Sequence, residues 1–337
     1  FTLRSQILQH EISGEDGSKP SSYIEDAERG LRDIPSGGVL LIPENDNDRV
    51  MAFDPETGNL LDANFIPSDL DNLATPIEVI LSNNGNSLLV SDQLNDVVQE
   101  YDLDGNYLGL FAPASGVNTS ILDNVRGISL RPNGNLLVTV GGGGNAGNLA
   151  EFDADGNYLG VFFDGTTGNM SSPFDVLLRE GKDYLVSAIT DDKIKSVGLN
   201  GSFIGDFAPA DNFPEQIAET ASGNILVGMF SGAQEGVLEL TGTGSLMGVY
   251  SPPSLGNFRG VYELPGGNIL ATTNDGVYEI DRMGNIVDTK ISGISCRFIS
   301  YIPGPADPSE IPLSPYIILL AIGLIALFTI YRYRRIA

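Results

Sequence analysis

Six residue pairs stand near the starts of six apolar strand-like segments: Ile77-Glu78, Arg126-Gly127, Phe174-Asp175, Glu215-Gln216, Arg259-Gly260 and Arg297-Phe298. Arg126, Arg259 and Arg297 hold the same place in their pairs, with Glu215 at that place and Glu78 and Asp175 beside it. A guanidinium grips a carboxylate or another anion in bidentate fashion. Clustered carboxylates can hold a divalent cation. The six charged residues could therefore line a polar pocket for an anion or a metal. The simpler reading, and the preferred one, is a ring in which acids and arginines neutralise one another.

Other chemistries are narrowed by composition. His10 is the only histidine, and it precedes the strand-like segments, so a Ser-His-Asp triad or a His-rich zinc site within them is excluded. Cys296 is the only cysteine, which rules out an intramolecular disulfide. It reads as a small buried hydrophobe. The run at 141–144 is four glycines but lacks the Gly-Lys-Ser/Thr ending of a phosphate loop. The turns beginning at Asp102 and Asp153 resemble the start of a calcium loop. Their Gly comes at the fourth position rather than the sixth, and the twelfth position holds Pro113 or Asp164 instead of Glu. The segment containing Glu44, Asp46 and Asp48 is denser in oxygen ligands and is the better metal candidate. No cofactor is expected, with calcium as the one ion left open.

What must position these residues is a repeat. One phrase recurs six times: an alternating strand, a Gly-Asn turn, an apolar strand such as Leu88-Leu89-Val90, a third strand ending in Asp, an Asp-x-Asp-Gly-Asn turn, and an outer strand. Leu40, Leu88, Leu136, Tyr184, Ile225 and Ile269 hold equivalent places, at spacings of 48, 48, 48, 41 and 44. Units of that length with several short strands predict a β-propeller. The first copy lacks its first strand, and one extra strand, 296–301, remains after the last. Pairing of that strand with residues 39–42 would complete a blade from both chain ends and remove exposed sheet edges. The count is then six blades, all-β, with seven as the alternative. The paired residues above would stand at one mouth of the central channel.

The segments Asn47-Asp48-Arg49-Val50-Met51-Ala52-Phe53-Asp54 and Gly127-Ile128-Ser129-Leu130, with Gly134-Asn135-Leu136-Leu137-Val138, resemble the NHL-repeat propellers. The resemblance covers about residues 37–303. It implies the six-bladed fold without choosing among the enzymes, binders and assembly modules that fold hosts. Calcium-dependent lactonase-like propellers place acids and Asn around such a channel, but their ligand set does not map in full onto this chain.

Residues 316–331 carry no charge. With residues 311–315 they are long enough to cross a hydrocarbon core of ~30 Å. Tyr316 and Tyr331 sit where aromatic belts belong, and Arg332, Arg334 and Arg335 follow. The positive-inside rule then puts the C-terminus in the cytoplasm and the propeller on the periplasmic or extracellular side of the cytoplasmic membrane. The expected order is an arm at 1–36, the propeller at 37–303, a Pro-rich linker at 304–315, the transmembrane helix at 316–331 and a basic tail at 332–337. The tail is also similar to the sorting signals read by exosortase-type enzymes, without their Pro-Glu-Pro form. The chain starts at Phe1, which leads to the expectation of a removed leader. A short helix is expected within 21–33.

A net charge of −26 argues against nucleic-acid binding. The leading expectation is a non-catalytic accessory or scaffold subunit, its helix packed in the bilayer against integral-membrane subunits or a surface assembly. The alternatives are a metal-dependent lactonase or hydrolase using the channel acids, and a sugar- or peptide-binding surface protein sorted by its tail.

Overall fold

The computed structural model describes residues 34–305. They form six four-stranded antiparallel sheets, the blades of a propeller. The second blade shows the pattern: Pro76–Leu81 innermost, then Ser87–Asp92, Val97–Asp102 and, outermost, Tyr107–Ala112. The inner strands of the next four blades are Val125–Leu130, Pro173–Arg179, Pro214–Glu219 and Val261–Glu263. Second strands such as Ser87–Asp92 and Leu136–Val140 are buried along their whole length. Their side chains fill the space between blades: Leu89 and Val98 of one blade pack with Leu136, Val138 and Phe152 of the next. Each such side chain contributes about 1.5–3 kcal/mol by leaving water.

Ring closure follows the sequence expectation, with a shorter strand. Ser300–Ile302 pairs with Val39–Glu44 in the register Val39↔Ile302, Leu40↔Tyr301 and Leu41↔Ser300. A single bridge joins Glu44 to Cys296. Between these contacts the chain bulges: the N–H of Arg297 donates to Pro43 (2.9 Å), and that of Phe298 turns away to Ile77 in the neighbouring blade (3.2 Å). Ile34 is buried with Val39 and Ile302, so the core begins before residue 37.

The Asp-x-Asp-Gly-Asn turns are self-contained hairpins. Asp153 Oδ2 accepts from the Asn157 side-chain amide (3.0 Å), and its Oδ1 from the N–H groups of Asn157 (2.9 Å) and Asp155 (3.0 Å); these bonds, the Asn157 amide first, hold its carboxyl below the usual range. Gly156 has φ +75°, and a Cβ there would run into the Phe111 carbonyl of the preceding blade. The glycine is thus required twice over, by backbone conformation and by blade-to-blade approach.

Directly after each turn the outer strand carries an inserted residue, because the register slips by one against its partner. The inserted residues are Leu61, Leu108, Leu159, Ile204, Met247 and Val287. All but Leu61 are 51–60% exposed.

Among the described residues no helix is long and apolar enough to cross a membrane. The proposed span at 316–331, with Tyr316, Tyr331, Arg332, Arg334 and Arg335, lies outside the described residues. So do residues 1–33, with His10 and the expected short helix.

Candidate functional site: the central channel

A β-bulge repeats in the inner strands and decides what reaches the axis. In the second blade Pro76 faces Asp92 and Val79 faces Val90, so Ile77 and Glu78 together oppose Ser91. The same slip places Arg126-Gly127, Phe174-Asp175 and Glu215-Gln216 in bulges of their own blades. Four of the six residue pairs recognised in the sequence are these bulges.

A hydroxyl on the second strand satisfies many of the displaced backbone groups. Ser91 and Ser187 accept from the N–H groups of Glu78 (3.1 Å) and Asp175 (2.9 Å). Thr272 accepts from Gly260 (2.6 Å), and Thr139 donates to the Gly127 carbonyl (3.1 Å). These residues were not singled out from sequence. A small hydroxyl residue near the end of an otherwise apolar second strand, in four blades, was the available signal.

Further along the axis, acids and an amide join blade to blade. Glu78 Oε2 accepts from the N–H of Ile128 (2.7 Å). Asp175 accepts from Val176 and, in the next blade, Ile217 (2.7 Å each). Gln216 Oε1 accepts from Val261 and Ile299 (2.9 Å each), and its amide donates to the Ile299 carbonyl (2.8 Å). Inner-edge N–H groups that no fifth strand covers are satisfied in this way. Gly127 is needed where it stands, since a Cβ there would lie 2.6 Å from the Asp175 backbone.

The two ends of the channel differ in charge. At the strand starts lie Arg126, Glu215, Arg259 and Arg297. Arg259 Nη1 donates to Glu215 Oε1 (2.6 Å), and its Nε to Asn274 (2.8 Å). Arg126 Nη1 donates to Ser172 Oγ (2.8 Å) and the Pro173 carbonyl (3.1 Å). Arg297 faces Asn45 once that amide is turned to present its oxygen. Burial pushes Arg126 down to about 10. Burial, then repulsion from Arg259, does the same to Arg297. Burial raises Glu215, against the attraction of Arg259, Arg297 and Arg126.

Toward the strand ends lies a cavity of about 220 Å³, walled by Ile80, Ile128, Leu130, Leu177 and Ile217, with Glu78 and Asp175 among its lining. Burial pushes Asp175 up to about 7. Burial and the neighbouring Asp175 charge raise Glu78 well above the usual carboxylate range. A buried hydrophobic cluster of Ile77, Phe174, Ile189 and Phe298 also stands on the axis, with the two phenyl rings 5.8 Å apart.

The expected ring of mutual ion pairs is therefore corrected. Among the described residues, Arg259 and Glu215 are the only two of the six candidates that form a salt bridge with each other. The bulges put the arginines with Glu215 at one end and leave Glu78 and Asp175 as a like-charged pair elsewhere.

The acids at 44–48 do not converge. Glu44 is buried and binds Arg49 Nε (2.7 Å) and the N–H groups of Asp46 and Asn47 (2.5 and 3.1 Å). Asp46 accepts from Ser295 (2.9 Å) and Asp48 from Thr75 (2.7 Å). Among the described residues no three His, Cys, Asp or Glu side chains gather in a metal-ligating group. Glu78 and Asp175, with aliphatic walls and backbone N–H groups on their oxygens, offer too few free oxygens for calcium, which takes six to eight. Those residues do not fit that ion.

No family model matches the chain, and no curated protein matches it in sequence. Solved structures do resemble it. A chain of the nidogen/laminin complex has a TM-score of 0.62 at 14% identity, covering 80% of this chain and 100% of that one. A gluconolactonase from Xanthomonas campestris has a TM-score of 0.57 at 13% identity, covering 82% and 97%. A streptogramin B lyase has a TM-score of 0.52 at 14% identity, covering 77% and 84%. At such identities the likeness is one of fold. The six-bladed propeller it shows is shared by enzymes and by a protein that binds another protein.

Proposed function

We propose that the chain is a non-catalytic, NHL-like propeller, anchored by residues 316–331 on the extracytoplasmic side of the cytoplasmic membrane. In this reading it serves as an accessory or scaffold subunit of a membrane complex or surface assembly. The observation that carries the non-catalytic part is the commitment of the channel acids. Glu78 and Asp175 accept backbone N–H groups of neighbouring blades. Carboxylates fixed as blade-to-blade acceptors are poor candidates for proton transfer or metal binding. The apolar run at 316–331 with its arginine flank supports the anchor.

One observation favours the hydrolase alternative: the Glu78–Asp175 pair lines a cavity, and buried paired carboxylates with raised pKa values mark many catalytic sites. The two readings part in one experiment. Native membranes are solubilised gently, and the material is separated by size and analysed by intact mass. A stoichiometric complex holding the chain through Ala337 is the expected result. A lone chain overturns the scaffold role. A chain ending before Tyr316 overturns the permanent anchor and favours tail-directed sorting.

A further inference from the structure

We propose that the cavity toward the strand ends of the channel binds a primary alkylammonium group, its N–H donors on the Glu78 carboxylate and its carbon chain against the aliphatic walls. The site does not rest on the scaffold role proposed above. It uses the acids that the hydrolase alternative would use and gives them a ligand rather than a reaction.

The first observation is negative charge without a counter-charge. Glu78 and Asp175 line the cavity, and no other charged residue does. Neither acid forms a salt bridge among the described residues. The channel arginines gather around Glu215 at the opposite end. Glu78 is 8% exposed and Asp175 2%. A buried pair of like charges is costly until it takes up protons or meets a cation. Both carboxyls are accordingly held above their usual range.

The second observation is an open acceptor with space beside it. Glu78 Oε2 takes the Ile128 N–H (2.7 Å). Both Asp175 oxygens are engaged, by Val176 and Ile217. Among the described residues nothing donates to Glu78 Oε1, and that oxygen keeps accessible surface. Its residue lines a cavity of about 220 Å³, so a ligand has both an atom to reach and room to occupy.

The third observation selects the ligand class. One open oxygen falls far short of the six to eight ligands that calcium takes. A guanidinium seeks both oxygens of a carboxylate, and here the second is taken. A quaternary ammonium has no N–H to give, and no aromatic ring lines the cavity to hold one. A primary ammonium is a compact charge with three donors. One donor suffices for Glu78 Oε1, and the others are left to water at the open side. Ile80, Ile128, Leu130, Leu177 and Ile217 form the rest of the wall and suit a hydrocarbon chain. An aliphatic-walled cavity of ~150 Å³ holds benzene, so this one has room for an ammonium with a chain of about four carbons. A free amine carries such a group, and so does a lysine side chain of a docked partner.

The test is calorimetric titration of the full-length chain at low salt and pH 8. There an alkylammonium, with a pKa of about 10.4, stays charged. n-Butylamine should bind saturably. 1-Butanol, of the same shape without the charge, should bind at least about tenfold more weakly, the effect of one hydrogen bond between charged groups. Methylamine, which has the charge and no chain, should be weaker by about tenfold or more. Glu78→Gln should weaken n-butylamine about tenfold and close most of its gap to 1-butanol, which a general loosening of the fold would not do. Leu130→Ser should narrow the preference for n-butylamine over methylamine, and it serves as the second reading if Glu78→Gln does not fold. Nα-acetyl-lysine amide separates the two sources of the group. Binding as tight as that of n-butylamine assigns the site to a lysine side chain, and weaker binding assigns it to a free amine. The proposal is overturned if n-butylamine does not bind saturably, if 1-butanol or methylamine binds as tightly, if calcium chloride binds more tightly, or if both variants bind n-butylamine and methylamine as the wild type does.

Discussion

Replacing Asp175 by Asn should change stability in a way that depends on pH, and the size can be worked from the channel geometry. Asp175 is fully enclosed, and burial lifts it from an ordinary value of 3.8 to about 7. Folding therefore favours its protonated form. That contribution is whole below the unfolded value and is lost as pH rises through 7. Between pH 5 and pH 8 the wild-type chain should lose about 2–3 kcal/mol from this group, at 1.36 kcal/mol per unit. Asn carries no charge and loses nothing over that interval. It does surrender one acceptor, since both Asp175 oxygens receive N–H groups, from Val176 and Ile217. That deficit is about 1–3 kcal/mol and does not vary with pH. Glu78 adds to the trend with the same sign, because burial and then the Asp175 charge raise it as well. Urea unfolding of both proteins at pH 5, 6, 7 and 8 gives the difference directly. Asp175→Asn should be the less stable at pH 5 and should regain at least about 2 kcal/mol relative to wild type by pH 8. Parallel curves, or a deficit that widens with pH, would refute the burial of an ionisable pair in the channel.

Two further outcomes test the packing between strands and between blades. Arg49→Ala leaves the fully buried Glu44 carboxylate without its cation and should cost about 3–5 kcal/mol in thermal unfolding, most of it restored in Arg49→Met combined with Glu44→Gln. Gly156→Ala should cost clearly more than Gly85→Ala: both have positive φ, worth about 1–2 kcal/mol each, but only at residue 156 would the new Cβ strike the neighbouring blade. Equal losses at the two positions would refute the close approach.

The propeller was legible because each blade repeats its own local chemistry. A nearly all-apolar second strand, a Gly-Asn turn and an Asp-Gly-Asn turn each predict their conformation without reference to the rest of the chain. Closure was legible for a related reason: the first copy lacks a strand and the last leaves one over. The channel was legible only as a set of residues. Arg126, Glu215, Arg259 and Arg297 are equivalent in sequence and do meet at one end. Glu78 and Asp175, one position later, do not neutralise them, because the bulge sends successive residues to different partners. A one-residue slip leaves hardly any mark on hydrophobic periodicity, so the separation of charges could not be read in advance. The metal-like spacing at Glu44, Asp46 and Asp48 misled for the converse reason. Those oxygens are used by nearby N–H groups, and Glu44 by an arginine five residues on.

The inserted residues on the outer strands bear on how these molecules behave in a crowd. Once the ring is closed, the outer edge of each blade is the sheet edge left without a neighbour. An unbroken edge would present evenly spaced N–H and C=O groups to the edge of another molecule. Here Leu108, Leu159, Ile204, Met247 and Val287 each break that spacing one residue into the strand, and the second, third, fourth and sixth blades break it again further along. A neighbouring strand could match only two or three residues before losing register. The same insertions that leave apolar side chains in water thus deny the molecule a template for fibre growth, and even when crowded it can keep six open outer sheet edges without seeding aggregation.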